Sequence, residues 1–411
     1  MIYKLNKSQK QRQVKPMNNV HPKITEFPQW ITVLLAVACG VIVANLYYAQ
    51  PLIGPISTDI HLPLASAGFI VTLTQIGYGI GLLFIVPLSD IIENRRLVTA
   101  VLIIAISALI GVSLSRNAMV FLITTLFIGI GSVTAQILVP YASYLAPEER
   151  RGQVVGKVMS GLLLGIMLAR PIASFVTVLW GWHAVFILSA TMTSGLTVVL
   201  ALILPRREPS PTVDYGSLIR SMGSLFTTKT VLRRRAFYQA CLFGAFSLFW
   251  TTTPLWLAQH FNLSQRGIAL FALAGVAGAI AAPMAGRLAD KGFTKPLTGL
   301  AIVIAILSFT MTLLVKDASA FALTVFIVAA ISLDMAVSGN LVLGQRAIYS
   351  LGTEIRGRVN GVFMAVFFTG GAIGSALGGW GYARGGWMLA SLFGLIMPVI
   401  ALSYYLTERN N

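Results

Sequence analysis

PEERRGQVVG, residues Pro147 to Gly156, returns roughly two hundred residues later as GTEIRGRVNG, residues Gly352 to Gly361. Glu149, Arg151, Gly152, Val154 and Gly156 align without a gap on Glu354, Arg356, Gly357, Val359 and Gly361. A second pair keeps nearly the same offset: Leu88 and Asp90 in VPLSD match Leu288 and Asp290 in GRLAD. Two matches at nearly the same spacing mark an internal duplication, so the chain reads as two copies of one half.

Only 10% of the 411 residues are charged and 56% are hydrophobic. A soluble domain typically carries about 25% charged residues, so this chain's solvent is lipid. Apolar stretches of span length fall approximately at 30–50, 66–88, 97–115, 118–142, 154–178, 183–204, 236–258, 267–288, 297–315, 319–345, 359–382 and 387–406. About twenty residues of helix cross a hydrocarbon core of roughly 30 Å. Open strands would leave backbone groups unpaired in lipid, so the spans are helices. The sequence therefore predicts an all-α integral membrane protein with twelve transmembrane helices.

The net charge of +17 raises the question of nucleic acid, and its distribution answers it. Lysines and arginines crowd the stretch before the first span, the linker at 205–235 and the connections holding Arg95, Arg96, Arg150, Arg151, Lys291, Lys295, Arg356 and Arg358. The opposite connections carry only Arg116, Arg266, Lys316 and Arg384. This positive-inside asymmetry places both termini and the linker in the cytoplasm, and no basic surface remains for nucleic acid. Cys39 and Cys241 both fall inside spans and read as packing residues.

The expected organisation is a basic tail at 1–29, a six-helix bundle at 30–204, a cytoplasmic linker at 205–235, a second six-helix bundle at 236–406 and a short tail at 407–411. Because each half holds an even number of spans, both repeated loops emerge on one face, as in a parallel repeat about an axis normal to the membrane. Transporters are commonly built from such halves, with the binding site between them.

The duplicated halves, the acidic-basic loop after each half's second span and the ERxG-like loop after the fourth resemble the major facilitator superfamily. ANLYYAQPL (44–52), VMSGLLLGIMLARP (158–171) and LDMAVSGNLVLGQRAIY (333–349) are similar to its bacterial drug and sugar efflux (arabinose efflux permease-like) subgroup. The resemblance implies the MFS fold with a central cavity, and a multi-pass protein of the bacterial inner membrane. It also implies gating loops at Asp90, Arg95, Arg96, Glu149 and Arg151 in the first half, and at Asp290, Lys291, Glu354 and Arg356 in the second. The loop signature is partly kept, with Val86 where glycine is usual. Proton-coupled exporters of the superfamily often carry R-x3-G-x-G in the fourth span; here Gly129 and Gly131 stand, but Thr125 occupies the arginine position. Gly161, Gly165 and Pro171 in the fifth span resemble the antiporter signature, with Arg170 in place of a small residue.

Asp334 is the acid that lies deep inside a span, where an isolated carboxylate costs at least about 2.5–3.5 kcal/mol. A carboxyl that loads and unloads a proton as access alternates is what proton coupling needs; the alternative is a structural ion pair or interhelical hydrogen bond. Asp334, Ser338, Leu341 and Gln345 share one helical face, and the repeat sets Asp334 opposite Gly129. Arg170 is the cation well inside a span, suited to hold an anionic substrate, pair with a carboxylate or snorkel outward. Asn45, Tyr48, Gln136, Tyr141, Trp250 and Asn340 complete the expected cavity lining, because the resemblance sets spans one, four, seven and ten around the central path. The expected partners are a small-molecule substrate, protons and the lipid bilayer, for a monomer with no cofactor and no metal site. The functional expectation is proton-coupled efflux of a small organic compound. The alternatives are proton-coupled uptake of a sugar, amino acid or organic anion, and, from another class, a membrane sensor or membrane-embedded enzyme.

Overall fold

A computed structural model describes residues 28–207, 214–315 and 317–408. Among the described residues there are helices and no strands. In chain order the α-helices are α1 Gln29–Ala44, α2 Ile53–Asp59, α3 Phe69–Phe84, α4 Asn94–Leu114, α5 Ala118–Ser132, α6 Thr134–Leu145, α7 Arg151–Trp180, α8 Trp182–Ile203, α9 Tyr215–Thr228, α10 Thr230–His260, α11 Gln265–Ala272, α12 Gly278–Asp290, α13 Thr294–Leu314, α14 Ala320–Tyr349 and α15 Arg356–Leu406.

Ten helical runs among the described residues are long and apolar enough to cross a membrane. The first span is α1 continued by α2 through a turn at 45–49, where Pro51 withholds the donor a continuous helix would use. The last two spans are the two arms of α15, whose 51 residues would reach about 77 Å if straight, far more than one crossing. Gly385 and Gly386 break it, and Gly386 adopts φ 60°, a left-handed conformation open to glycine. The chain is an all-α membrane protein of twelve spans in two six-helix halves, as the sequence predicts.

The duplication reappears as matched packing. In the first half α1 meets α7 at Gly40, Gly161 and Gly165: a Cβ on Gly165 would lie 2.5 Å from the Gly40 Cα. In the second half α10 meets α15 at Gly244, Gly370 and Gly374: a Cβ on Gly374 would lie 2.7 Å from the Gly244 Cα. Backbones this close exclude any side chain, which is how helices gain contact in lipid without a hydrophobic drive.

The linker contains a helix. α9 is amphipathic, with Leu218 and Met222 buried, and it lies across both halves at the end of the bundle that carries the repeated loops. The Tyr215 hydroxyl donates to the Phe84 carbonyl at the end of α3, while Ser221 Oγ accepts from Arg358 Nη1 at the start of α15. The bundle's two ends are called below the loop end and the far end.

Candidate functional site

The spans are apolar, so the few charged and amide groups within them must find one another. Arg170, nineteen residues into α7, and Asp334, in the middle of α14, do so across the two halves. Arg170 Nη1 lies 3.5 Å from Asp334 Oδ2, with side-chain exposures of only 1% and 5%. Asp334 Oδ1 accepts a 2.8 Å hydrogen bond from Trp250 Nε1 of α10. Arg170 Nε donates to Gln50 Oε1, 2.8 Å away, at the break between α1 and α2. The guanidinium also lies over the Trp250, Phe246 and Tyr47 rings, 4.2, 4.8 and 5.5 Å from their centroids. Cation–π contacts of this kind strengthen when water is excluded.

The cluster thus draws on α7 and the first span of one half and on α10 and α14 of the other. Its roof is Gly275, where a Cβ would lie 2.7 Å from Arg170 Nη1 and 2.8 Å from Asp334 Oδ2. Among the described residues Arg170 Nη2 and Gln50 Nε2 remain without hydrogen-bond partners. A buried charge pair with spare donors is weak evidence for stability, since desolvation offsets the attraction.

Beneath the cluster a cavity of about 420 Å³ runs toward the loop end. Tyr47, Phe246 and Met167 wall it beside the ion pair, and Tyr349, Arg356 and Asn360 wall it at the loop end. Between them stand Tyr78, Phe243, Phe367 and Phe368, with Tyr78 and Phe368 centroids 4.4 Å apart across the halves. The described lining residues include no carboxylate, and Arg356 is their cation. Size and chemistry match ligand pockets, which are typically about 300–1,000 Å³ and mostly apolar with a few polar groups.

The two halves also meet beside the cavity along α3 and α15. Thr72 Oγ1 and Ser375 Oγ are 2.8 Å apart, and Gln75 Nε2 donates to Ser247 Oγ of α10 at 2.8 Å.

Of the residues singled out from sequence, Asp334, Arg170 and Trp250 converge in the cluster, and Gln136, Ser338 and Gln345 line the cavity. The others lie elsewhere. Asn45 is buried within the first half, accepting from Ser189 Oγ of α8 at 2.5 Å. Tyr48 lines a groove on the outside of that half, between α1, α7 and α8. Tyr141 donates to the Pro205 carbonyl at the loop end. Asn340 Nδ2 donates to Gln239 Oε1 at 2.7 Å, tying α14 to α10. A polar side chain in a span can face a cavity or bond to a neighbouring helix, and these four do not line the cavity. Opposite Asp334 in the repeat, Gly129 lets α5 close on α3: a Cβ there would lie 2.7 Å from the Tyr78 backbone nitrogen.

The loop residues mostly serve their own half. Arg346 pairs with Asp290, joining the ends of α14 and α12. Arg96 pairs with Glu93 at 3.5 Å, and Arg95 Nη1 reaches the Leu204 carbonyl at 3.5 Å. Arg356 Nε donates to the Tyr349 carbonyl at 3.3 Å. Lys291 donates its backbone N–H to Leu288 in the turn after α12. Arg151 and Glu354 are exposed, and the Glu149 side chain lies outside the described residues. Asp90 lies within electrostatic reach of Arg207 and of Arg358, which stands near the start of the second half's α15.

Gln50, Gly275, the Gln75–Ser247 bond and the aromatic wall were not anticipated from sequence. Gln50 had a signal, a lone amide ahead of Pro51 in an apolar run. Gly275 had none, because a glycine's role depends on what stands over it.

Two six-helix halves around a central cavity, closed on one side by a buried ion pair between them, define a multi-pass membrane transporter of small molecules. The chain belongs to the Major Facilitator Superfamily, whose sequence pattern matches residues 34–353. It is similar to "Uncharacterized transporter YgaY" of Escherichia coli O157:H7, with 38% identity over 373 residues, 90% of this chain and 94% of that protein. It is also similar to "Probable transporter SCO4007" of Streptomyces coelicolor, with 30% identity over 359 residues, 86% of this chain and 82% of that one. Among solved structures, a bacterial homolog to the human lysosomal transporter Spinster, in an inward-facing and unoccupied conformation, superposes with a TM-score of 0.73. That match has 15% sequence identity and covers 92% of this chain and 96% of the other, a likeness of fold.

Proposed function

We propose that the protein exports a small, neutral, amphipathic organic compound in exchange for protons, by alternating access between its halves, with Asp334 as the carboxyl that carries the proton. The observation behind this reading is the Arg170–Asp334 pair, buried at the closed end of the cavity and contributed one partner from each half. While Asp334 is ionised, its charge holds α7 of the first half to α14 of the second. Solute loaded from the loop end must part that pair for the far end to open. Asp334 then takes a proton from the far side, carries it back while Arg170 rests on Gln50 and the aromatic rings, and re-forms the pair on releasing it to the loop end. Solute and proton then need never be carried together, as exchange requires.

The positive-inside charge pattern supports assigning the loop end and both termini to the cytoplasm of a bacterial inner membrane. The cavity would then face the cytoplasm, from which an exporter loads. Residues 30–204 and 236–406 are the two rocking units, with 205–235 as a tether, in a monomer. Asp90, within electrostatic reach of Arg358, is the candidate for an interaction between halves that alternates at the cytoplasmic end. The aromatic wall and the missing carboxylate favour an uncharged amphipathic solute over a cationic one, and the glycine–proline pattern in α7 favours exchange.

Everted membrane vesicles test the reading. Adding solute outside should discharge a preformed interior-acid gradient in wild type and fail to do so in Asp334→Asn. If a broad panel of aromatic and amphipathic compounds leaves the gradient intact, exchange is refuted. Solute release driven by proton flow out of the vesicle would instead identify uptake symport.

A further inference from the structure

On the outer surface of the first half, away from the central cavity, two hollows join at Thr32 and Lys157. The first is a polar notch at the loop end, lined by Gln29, Thr32, Arg150, Gln153 and Lys157. The second is a groove of about 560 Å³ that continues from it between α1, α7 and α8. We infer that together they are a binding site for one anionic phospholipid, its headgroup in the notch and an acyl chain along the groove.

Three observations carry this. The notch and the groove hold two cations and no carboxylate among their described lining residues. Neither Arg150 nor Lys157 makes an ion pair among the described residues, so their charge is free for a headgroup. Basic pockets between transmembrane helices recognise acidic lipid headgroups in this way.

The groove has the shape of a chain. From Lys157 to Ile172 it follows α7 for about 22 Å, at 1.5 Å per residue. One leaflet contributes about half of a roughly 30 Å hydrocarbon core, so an acyl chain lies within the groove's length. Gly40, Gly161 and Gly165 form its floor, where any side chain would collide with the facing helix. Exposed Val37, Leu164 and Ile172 form its rims.

The partner is lipid rather than protein because the rims lie at bilayer depth, where the medium is already acyl chain. What distinguishes the site from the rest of the lipid-facing surface is the pair of cations at one end of a recessed slot. It stands apart from the direction and coupling proposed above.

The experiment is native mass spectrometry of the full-length protein in detergent, with phosphatidylglycerol and phosphatidylcholine bearing identical chains. Wild type should retain one phosphatidylglycerol in preference to phosphatidylcholine. Arg150→Gln with Lys157→Gln should lose that preference by about thirtyfold, from roughly fivefold per juxtamembrane cation. Leu164→Trp, which fills the groove from its exposed rim, should weaken retention of both lipids while leaving the notch intact. Equal retention of the two lipids by wild type would overturn the site, as would an unchanged preference in the double variant. Displacement of phosphatidylglycerol by glycerol phosphate at equal concentration would also overturn it, by showing an anion notch with no part for the chain.

Discussion

Gly275 stands over Arg170 so closely that a methyl group there would lie 2.7 Å from the guanidinium Nη1. The same methyl would lie 2.8 Å from Asp334 Oδ2 and 3.2 Å from the Trp250 ring. The roof over the ion pair is therefore bare backbone from the chain's eighth span, the second span of the second half. Gly275→Ala should push the guanidinium off the carboxylate and slow transport, and Gly275→Val should abolish it. Overpacking of this kind costs about 1–3 kcal/mol, so a modest drop in melting temperature accompanies the loss. A wild-type transport rate in Gly275→Val would show that the pair tolerates displacement.

The pair itself predicts a non-additive series. Removing one member of a buried ion pair strands the other, at a cost of about 3–5 kcal/mol, whereas replacing both with apolar residues is often neutral. Asp334→Leu and Arg170→Met should each lower the melting temperature of the purified protein sharply. Arg170→Met with Asp334→Leu should recover most of that loss and still fail to transport. Additive melting shifts in the double variant would mean that the two residues do not interact.

The fold was readable because its two signals are one-dimensional: apolar stretches of span length and a duplicated loop. α9 escaped, since a polar linker with Pro205 at its head reads as a chain stop and its buried face amounts to little more than Leu218 and Met222. Asp334 and Arg170 were each conspicuous as charges in apolar surroundings. Their partnership was not, because it depends on how two separate halves are set against one another. The same limit explains Asn45, Tyr48, Tyr141 and Asn340. Residue type and span number were right for a cavity, but rotation about the helix axis decides between a cavity and a neighbouring helix, and a short polar cluster leaves that rotation open.

The glycine contacts at equivalent places in the halves predict equivalent failures. At Gly165 a side chain meets the Gly40 backbone, and at Gly374 it meets the Gly244 backbone, neither of which can swing aside. Gly165→Val and Gly374→Val should each separate a pair of helices and reduce the yield of folded protein, seen as loss of a monodisperse chromatographic peak. At Gly195, where nothing lies within 4 Å, the same substitution should be tolerated. Equal behaviour of all three variants would remove close approach as the reason for these glycines.

Thr72 and Ser375 provide a direct test of whether the halves move. Their hydroxyl oxygens are 2.8 Å apart, one on α3 and one on α15, at a level where the two halves are in contact. Cysteines at both positions bring sulfurs near the roughly 2.05 Å of a disulfide with little backbone adjustment. The native Cys39 and Cys241 are free thiols and are first replaced by alanine to leave one possible bridge. Oxidation of Thr72→Cys with Ser375→Cys should then stop solute flux, and reduction should restore it, while each single variant transports under both conditions. If alternating access requires this seam to open, the locked protein still binds solute from the loop-end side, measurable as ligand-induced thermal stabilisation, but carries none across. Undiminished flux in the oxidised protein, with the bridge verified by mass spectrometry, would mean that α3 and α15 stay joined throughout the cycle.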